Sequence, residues 1–190
     1  MNKRAAIFID RDGTLNTEVD YLHKPEDVAI APSTATQIAI LNKKNVPVIV
    51  ITNQSGIGKG KFGWDDYNAV MEKIDELLAQ HEAHLDDAYV CPYHEDAIGE
   101  YRHPNHPDRK PNPGMLLRAA EKHCIDLKYS WMAGDKKIDM EAAHNAGCRA
   151  ALVRTGYGNT VDPELADLVA DDLGGAIKQI LSLGLINCYL

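Results

Sequence analysis

The sequence predicts an α/β protein, a three-layer αβα sandwich around a mostly parallel sheet. Three observations carry this. Short apolar runs recur along the chain, segments with helical apolar spacing stand between them, and polar or acidic residues follow several runs directly. A βαβα order places helices on both faces of a parallel sheet.

The elements follow in order. The run 5–9, Ala-Ala-Ile-Phe-Ile, reads as a buried strand. A second run, 46–51, is rich in β-branched residues. After it Tyr67, Val70, Met71, Ile74, Leu77 and Leu78 recur at helical spacing. A short third strand is expected at 88–91. Pro113 suits the first turn of a helix through Leu116, Leu117 and Ala120. A fourth strand is expected at 131–133, then a helix at 140–146 stopped by Gly147. Strands at 150–153 and 168–170 precede a last helix from about 174 to 183. Two segments, 15–32 and 92–112, fit no regular element; loops of that length in compact domains are usually functional or disordered. The apolar end, 185–190, is expected to pack on the domain or on a second subunit.

Length and composition set the bounds. At 190 residues the chain supports one well-buried core, with residues 1–190 expected as a single domain. A net charge of −8 argues against nucleic-acid binding, because phosphate backbones are held by clustered Lys and Arg. No stretch reaches the length of a membrane span and no signal peptide is evident, so the expected location is cytoplasmic. The four cysteines are scattered, which argues against a disulfide framework.

The chemistry sits where strands end. Asp10-Arg11-Asp12-Gly13-Thr14 follows the first run directly. If strand geometry persists, Asp10 and Asp12 share a face and emerge at the carboxyl end, where open α/β sheets bind ligands. Two close carboxylates repel unless a cation or shared proton relieves them. The second strand leads into Thr52-Asn53-Gln54-Ser55-Gly56, whose hydroxyl, amide and backbone N–H groups suit phosphate oxygens. The fourth leads into Gly134-Asp135. Asp10, Asp12 and Asp135 together suit a hard cation such as Mg²⁺. Asp139 reads as an acidic residue near a helix start that orients Lys136 or a metal-bound water. The run Gly56-Ile57-Gly58-Lys59-Gly60 lacks the spacing of a nucleotide-binding loop.

D-R-D-G-T, T-N-Q-S-G, R-K-P at 109–111 and G-D-K-K-I-D at 134–139, in this order, resemble the four motifs of the haloacid dehalogenase-like phosphohydrolases. The resemblance extends to the branch of heptose-bisphosphate and histidinol-phosphate phosphatases. It implies a Rossmann-like sandwich of C0 type, without a cap domain, whose first insertion is only a short flap at about 15–32. It implies Asp10 as nucleophile, Asp12 as general acid and base, and Thr52 and Lys110 as the other catalytic residues. It implies Mg²⁺ held by Asp10, Asp135 and the Asp12 carbonyl. Glu18, Asp20, Tyr21, Asn53, Gln54, Ser55 and Arg109 are the expected substrate contacts, Arg109 for a phosphate that is not cleaved. The implied partner is a small sugar phosphate, a heptose 1,7-bisphosphate cut at C7, handled by a monomer or homodimer. Histidinol phosphate is the alternative substrate, and a phosphate-binding module without catalysis the alternative of another class.

The chain departs from the resemblance in two places. Its relatives usually carry zinc in the loop corresponding to 92–111. Here Tyr93 and His94 follow Cys91, and His106 and Asp108 stand where two cysteines are usual, so Cys91, His94, His106 and Asp108 form a weakened zinc set. Lys59 stands where Arg is usual and loses the bidentate fork.

Overall fold

The computed structural model describes residues 3–184 and residue 186. Six strands form one sheet: β1 (Ile7–Ile9), β2 (Val48–Asn53), β3 (Asp87–Cys91), β4 (Trp131–Gly134), β5 (Arg149–Val153) and β6 (Leu168–Ala170). Their order is β3-β2-β1-β4-β5-β6, and every pairing is parallel. The helices are α1 (Pro32–Lys43), the one-turn α2 (Ser55–Gly58), α3 (Trp64–Ala79), α4 (Gly114–Lys122), α5 (Lys137–Ala146) and α6 (Leu173–Ser182).

The inner strands bury both faces, as parallel strands covered by crossover helices must, while four of the five residues of the edge strand β3 are only half-buried. Ile7, Ile9, Val48, Val50, Ala133 and Val153 meet Ile38 of α1, Val70 and Ile74 of α3, and Ile177 and Ile180 of α6. The alternate residues, Phe8, Ile49, Ile51, Met132 and Leu152, meet Leu116 of α4 and Met140 of α5. This period of two explains why the runs read as uninterrupted apolar sequence.

The expected elements are all present, with strand ends shifted by one to a few residues. α1 is an addition. Its buried Thr34, Ala35, Ile38, Ala39 and Leu41 follow helical spacing, and Pro32 opens it. Gly147 ends α5 at φ 81°, the left-handed conformation expected of a helix stop. The flap at 15–32 is pinned by buried Leu15, Leu22 and Val28 and by the Thr17 N–H donating to Ala29 O. Of the expected apolar end, residues 185 and 187–190 lie outside the described residues; Ile186 packs in the first core. Among the described residues no helix is long and apolar enough to cross a membrane.

Candidate active site

β1 occupies the middle of the sheet, between β2 and β4, so the carboxyl ends of all three meet at one point. Asp10 directly follows β1, and its N–H donates to Ala133 O of β4 at 2.9 Å, which extends the ladder by one residue. Beside it stand Thr52 near the end of β2 and Asp135 just beyond β4, both buried. Lys110 enters on the loop before α4. Its Nζ donates to Asp10 Oδ1 at 2.7 Å, to Asp139 Oδ1 at 2.6 Å and to Ile51 O at 2.8 Å. Asp10, Thr52, Lys110 and Asp139 surround a cavity of about 40 Å³ that Asp12, Asn53 and Lys136 also line. A larger hollow of about 770 Å³ lies at the amino edge of the sheet around Leu117 and Leu127, without convergent buried carboxylates.

Burial dominates the electrostatics. It pushes Asp10 up to about 7, against the Lys110 ammonium and with help from Asp139 and Asp135. It pushes Asp135 up to about 6, against the Tyr157 N–H and Lys136. Burial works against the charge on Lys110, but Asp10 and Asp139 outweigh it and hold the ammonium above its ordinary range. One carboxylate oxygen each of Asp10, Asp135 and Asp139 lies within 4.8 Å of the others. Asp139 is already engaged, by Lys110 and by the Lys136 N–H at 2.9 Å. Asp135 is not: Oδ2 accepts from the Tyr157 N–H at 2.8 Å, while the buried Oδ1 has no hydrogen-bond partner. Among the described residues the one Lys or Arg nitrogen within 4.0 Å of it is Lys136 Nζ, at 4.0 Å. Gly13 (φ 85°) and Gly156 (φ 53°) approach this carboxylate so closely that a Cβ on either would overlap Asp135 Oδ2. An orphaned buried oxygen among hard anionic donors fits a divalent cation.

The predicted site residues fall into three groups. Asp10, Asp12, Thr52, Lys110 and Asp135 converge. Asp12 reaches the cleft from a turn rather than from continued strand, and its carboxylate faces cations and amides instead of Asp10. Arg11 grips it through Nε at 3.0 Å and Nη2 at 2.9 Å, and Gln54 Nε2 donates to it at 2.8 Å. The expected repulsion between the two carboxylates is thus relieved separately, by Lys110 and by Arg11.

A second group has structural employment. Gln54, expected as a substrate contact, is buried and bonded to Asp12, Thr52 and Arg11. The Asn53 amide clamps the Lys110 backbone, donating to its carbonyl at 3.0 Å and accepting from its N–H at 3.1 Å. Tyr21 packs its ring against the cluster of Ile57, Phe62 and Tyr67. Ser55 opens α2.

The third group lies at the rim. Glu18 pairs with Lys136 at 2.9 Å, Asp20 is exposed, and Arg109 is held by its Nη1 donating to Tyr93 O at 3.0 Å. Sequence reasoning left out Arg11, whose full burial no motif announces. It also left Asp139 at the margin, although the four-residue spacing from Asp135 across a helix start was its signal.

The zinc set does not assemble. Among the described residues the only group of three or more His, Cys, Asp or Glu ligand atoms close enough to share a metal is Asp10, Asp135 and Asp139. Cys91 is buried in the core, its thiol pushed up to about 11 by burial. His106 stacks on Tyr93, with centroids 3.7 Å apart and planes 7° from parallel, and its Nδ1 accepts from the Asp108 N–H. His94 Nδ1 accepts from the Asp96 N–H, and Asp108 pairs with Arg118 at 3.0 Å. Ring stacking and local turns order this loop instead.

Comparison with known proteins agrees with this geometry. The HAD-hydrolase-like family model matches residues 108–176. A D-glycero-beta-D-manno-heptose-1,7-bisphosphate 7-phosphatase of Mesorhizobium japonicum is 44% identical over 185 residues, covering 96% of this chain and 85% of the relative. The enzyme of that name from Escherichia coli is 40% identical, covering 92% of this chain and 94% of its own. Among solved structures, D,D-heptose 1,7-bisphosphate phosphatase from B. bronchiseptica, complexed with magnesium and phosphate, superposes with a TM-score of 0.84. It is 32% identical, covering 94% of this chain and 99% of the other.

Proposed function

The chain belongs to the haloacid dehalogenase-like hydrolases and is a phosphoric monoester hydrolase, and from that premise we propose that it removes the C7 phosphate of D-glycero-D-manno-heptose 1,7-bisphosphate. One observation carries the assignment of residues: a buried Asp10 gripped by Lys110 beside the orphaned oxygen of Asp135. The names of the relatives favour the β anomer, and in this reading the product supplies heptose for surface polysaccharide.

In this reading Asp10 attacks phosphorus in line, forming an aspartyl-phosphate as the bond to the sugar oxygen breaks. Asp12 gives a proton to the departing oxygen, then takes one from the water that attacks the aspartyl-phosphate. Inorganic phosphate leaves and the Asp10 carboxylate is restored. Lys110 holds Asp10 in place and balances its charge. Thr52 and the backbone around Asn53 face the equatorial oxygens. Magnesium held by Asp10, Asp135 and the Asp12 carbonyl supplies the positive charge that offsets repulsion between carboxylate and phosphate. Arg109, with Lys59 nearby on the same rim, suits the phosphate that stays.

The test is phosphate release from both heptose bisphosphate anomers and from histidinol phosphate, with and without Mg²⁺. The expected result is Mg²⁺-dependent turnover fastest on the β heptose, abolished by Asp10→Asn with the fold intact. Faster turnover of histidinol phosphate overturns the substrate, and an active Asp10→Asn variant overturns the nucleophile.

A further inference from the structure

Gln54 lies behind the cleft, 4% exposed, yet it touches two residues that line it. Its Nε2 donates to Asp12 Oδ2 at 2.8 Å and to Thr52 Oγ1 at 2.9 Å, while its Oε1 accepts from Arg11 Nη2 at 3.0 Å. A guanidinium has donors only, so the amide cannot be reversed: its oxygen must face Arg11 and its nitrogen must face Thr52. Arg11 is itself immobile. It is wholly buried, chelates Asp12, and lays its guanidinium 5.6 Å from the centre of the Tyr67 ring.

The consequence falls on one proton. A threonine hydroxyl has one hydrogen to donate and two lone pairs to accept with. Thr52 Oγ1 spends a lone pair on Gln54 and makes no other hydrogen bond among the described residues. Its hydrogen is therefore left for whatever acceptor the cleft receives. We propose that Gln54 is a positioning residue that, oriented by Arg11, keeps the Thr52 hydroxyl polarised as a donor toward the phosphoryl group. This rests on the phosphatase reading above. It assigns Gln54 an action through Thr52, without contact with substrate.

Two substitutions and their combination test it, in the full chain with Mg²⁺ and p-nitrophenyl phosphate, a phosphomonoester that makes no use of the sugar. Gln54→Glu keeps the size and the acceptor for Arg11 but loses the N–H, so Thr52 must donate to it and turn its hydrogen from the cleft. Thr52→Val removes the hydroxyl. Each single change is expected to lower kcat by roughly 10- to 100-fold with KM within about twofold, as for loss of a transition-state donor. The double variant is expected to lose clearly less than the product of the single losses. Wild-type kcat in either single variant, or a double variant whose loss equals that product, overturns the proposal. Gln54→Met, which cannot donate and accepts only weakly, repeats the cycle should Gln54→Glu melt early. Asp10→Asn separates the premise: if it still turns over, the phosphatase assignment of the site has failed, whereas an inactive Asp10→Asn beside a fully active Gln54→Glu removes only the relay.

Discussion

Removing divalent cations and raising the pH should destabilise this fold, because two buried acids hold protons that the unfolded chain releases early. Burial raises Asp135 from 3.8 to about 6 and Asp10 from 3.8 to about 7. Through these two acids the native state binds more protons than the unfolded state between pH 4 and 7, which lowers stability as pH rises, while His94 and His106, held below their ordinary range mainly by burial, offset part of the fall. Counted from pH 5, Asp135 contributes about one unit, roughly 1 kcal/mol, and Asp10, paired with Lys110, acts in the same direction. For a chain of this length the Asp135 share alone is a fall of roughly 2–4 °C in Tm between pH 5 and pH 8. Asp87 does not interfere: although burial opposes it, hydrogen bonds from Lys122 and His123 hold it at about 2, so its contribution is lost only below pH 4. The assay is a thermal melt of chelator-treated protein across this range, repeated with excess Mg²⁺. A cation that binds only the native state should restore most of the loss at pH 8 and little at pH 5. A metal-free Tm that stays level or rises from pH 5 to pH 8, or an equal Mg²⁺ effect at both, would refute the reasoning.

Three further outcomes are expected. Lys110→Met leaves Asp10 and Asp139 buried without their ammonium, so denaturant titration should show a loss of about 3–5 kcal/mol and phosphate release should fall at least about 100-fold. Gly156→Ala drives a Cβ into the Asp135 carboxylate, and the Mg²⁺ concentration for half-maximal activity should rise by about tenfold or more, roughly 1.4 kcal/mol of binding. Tyr93→Ala removes the ring beneath His106 and should cost about 0.5–1.5 kcal/mol in chemical denaturation, a deficit that added zinc does not recover.

Much of this was legible before any coordinates. The inner strands announced themselves because burial on both faces demands unbroken apolar runs, and the polar residues beyond their ends followed from that. What escaped was of two kinds. α1 combines small and mixed residues, so its period is faint beside those of α3 or α4. Arg11, and the inward turn of Gln54, escaped for a different reason. A charged or amide side chain gives no sign of whether it faces solvent or substrate, or turns inward to hold its neighbours. The loop at 92–112 shows the converse. Its histidines look like ligands, yet stacking and backbone turns occupy their rings.

The strand order ties the site to the timing of synthesis. Asp10 is synthesised well before its partners: β1 pairs with β4, more than 120 positions later, and the Asp135 carboxylate accepts the Tyr157 amide, later still. A nascent chain therefore carries Asp10 long before Asp135 and Asp139 can stand beside it, and long-range parallel pairing is slow to form. If the proposed site is right, hydrolysis switches on only once the second half of the molecule has docked, and fragments ending before about residue 157 are expected to be inert.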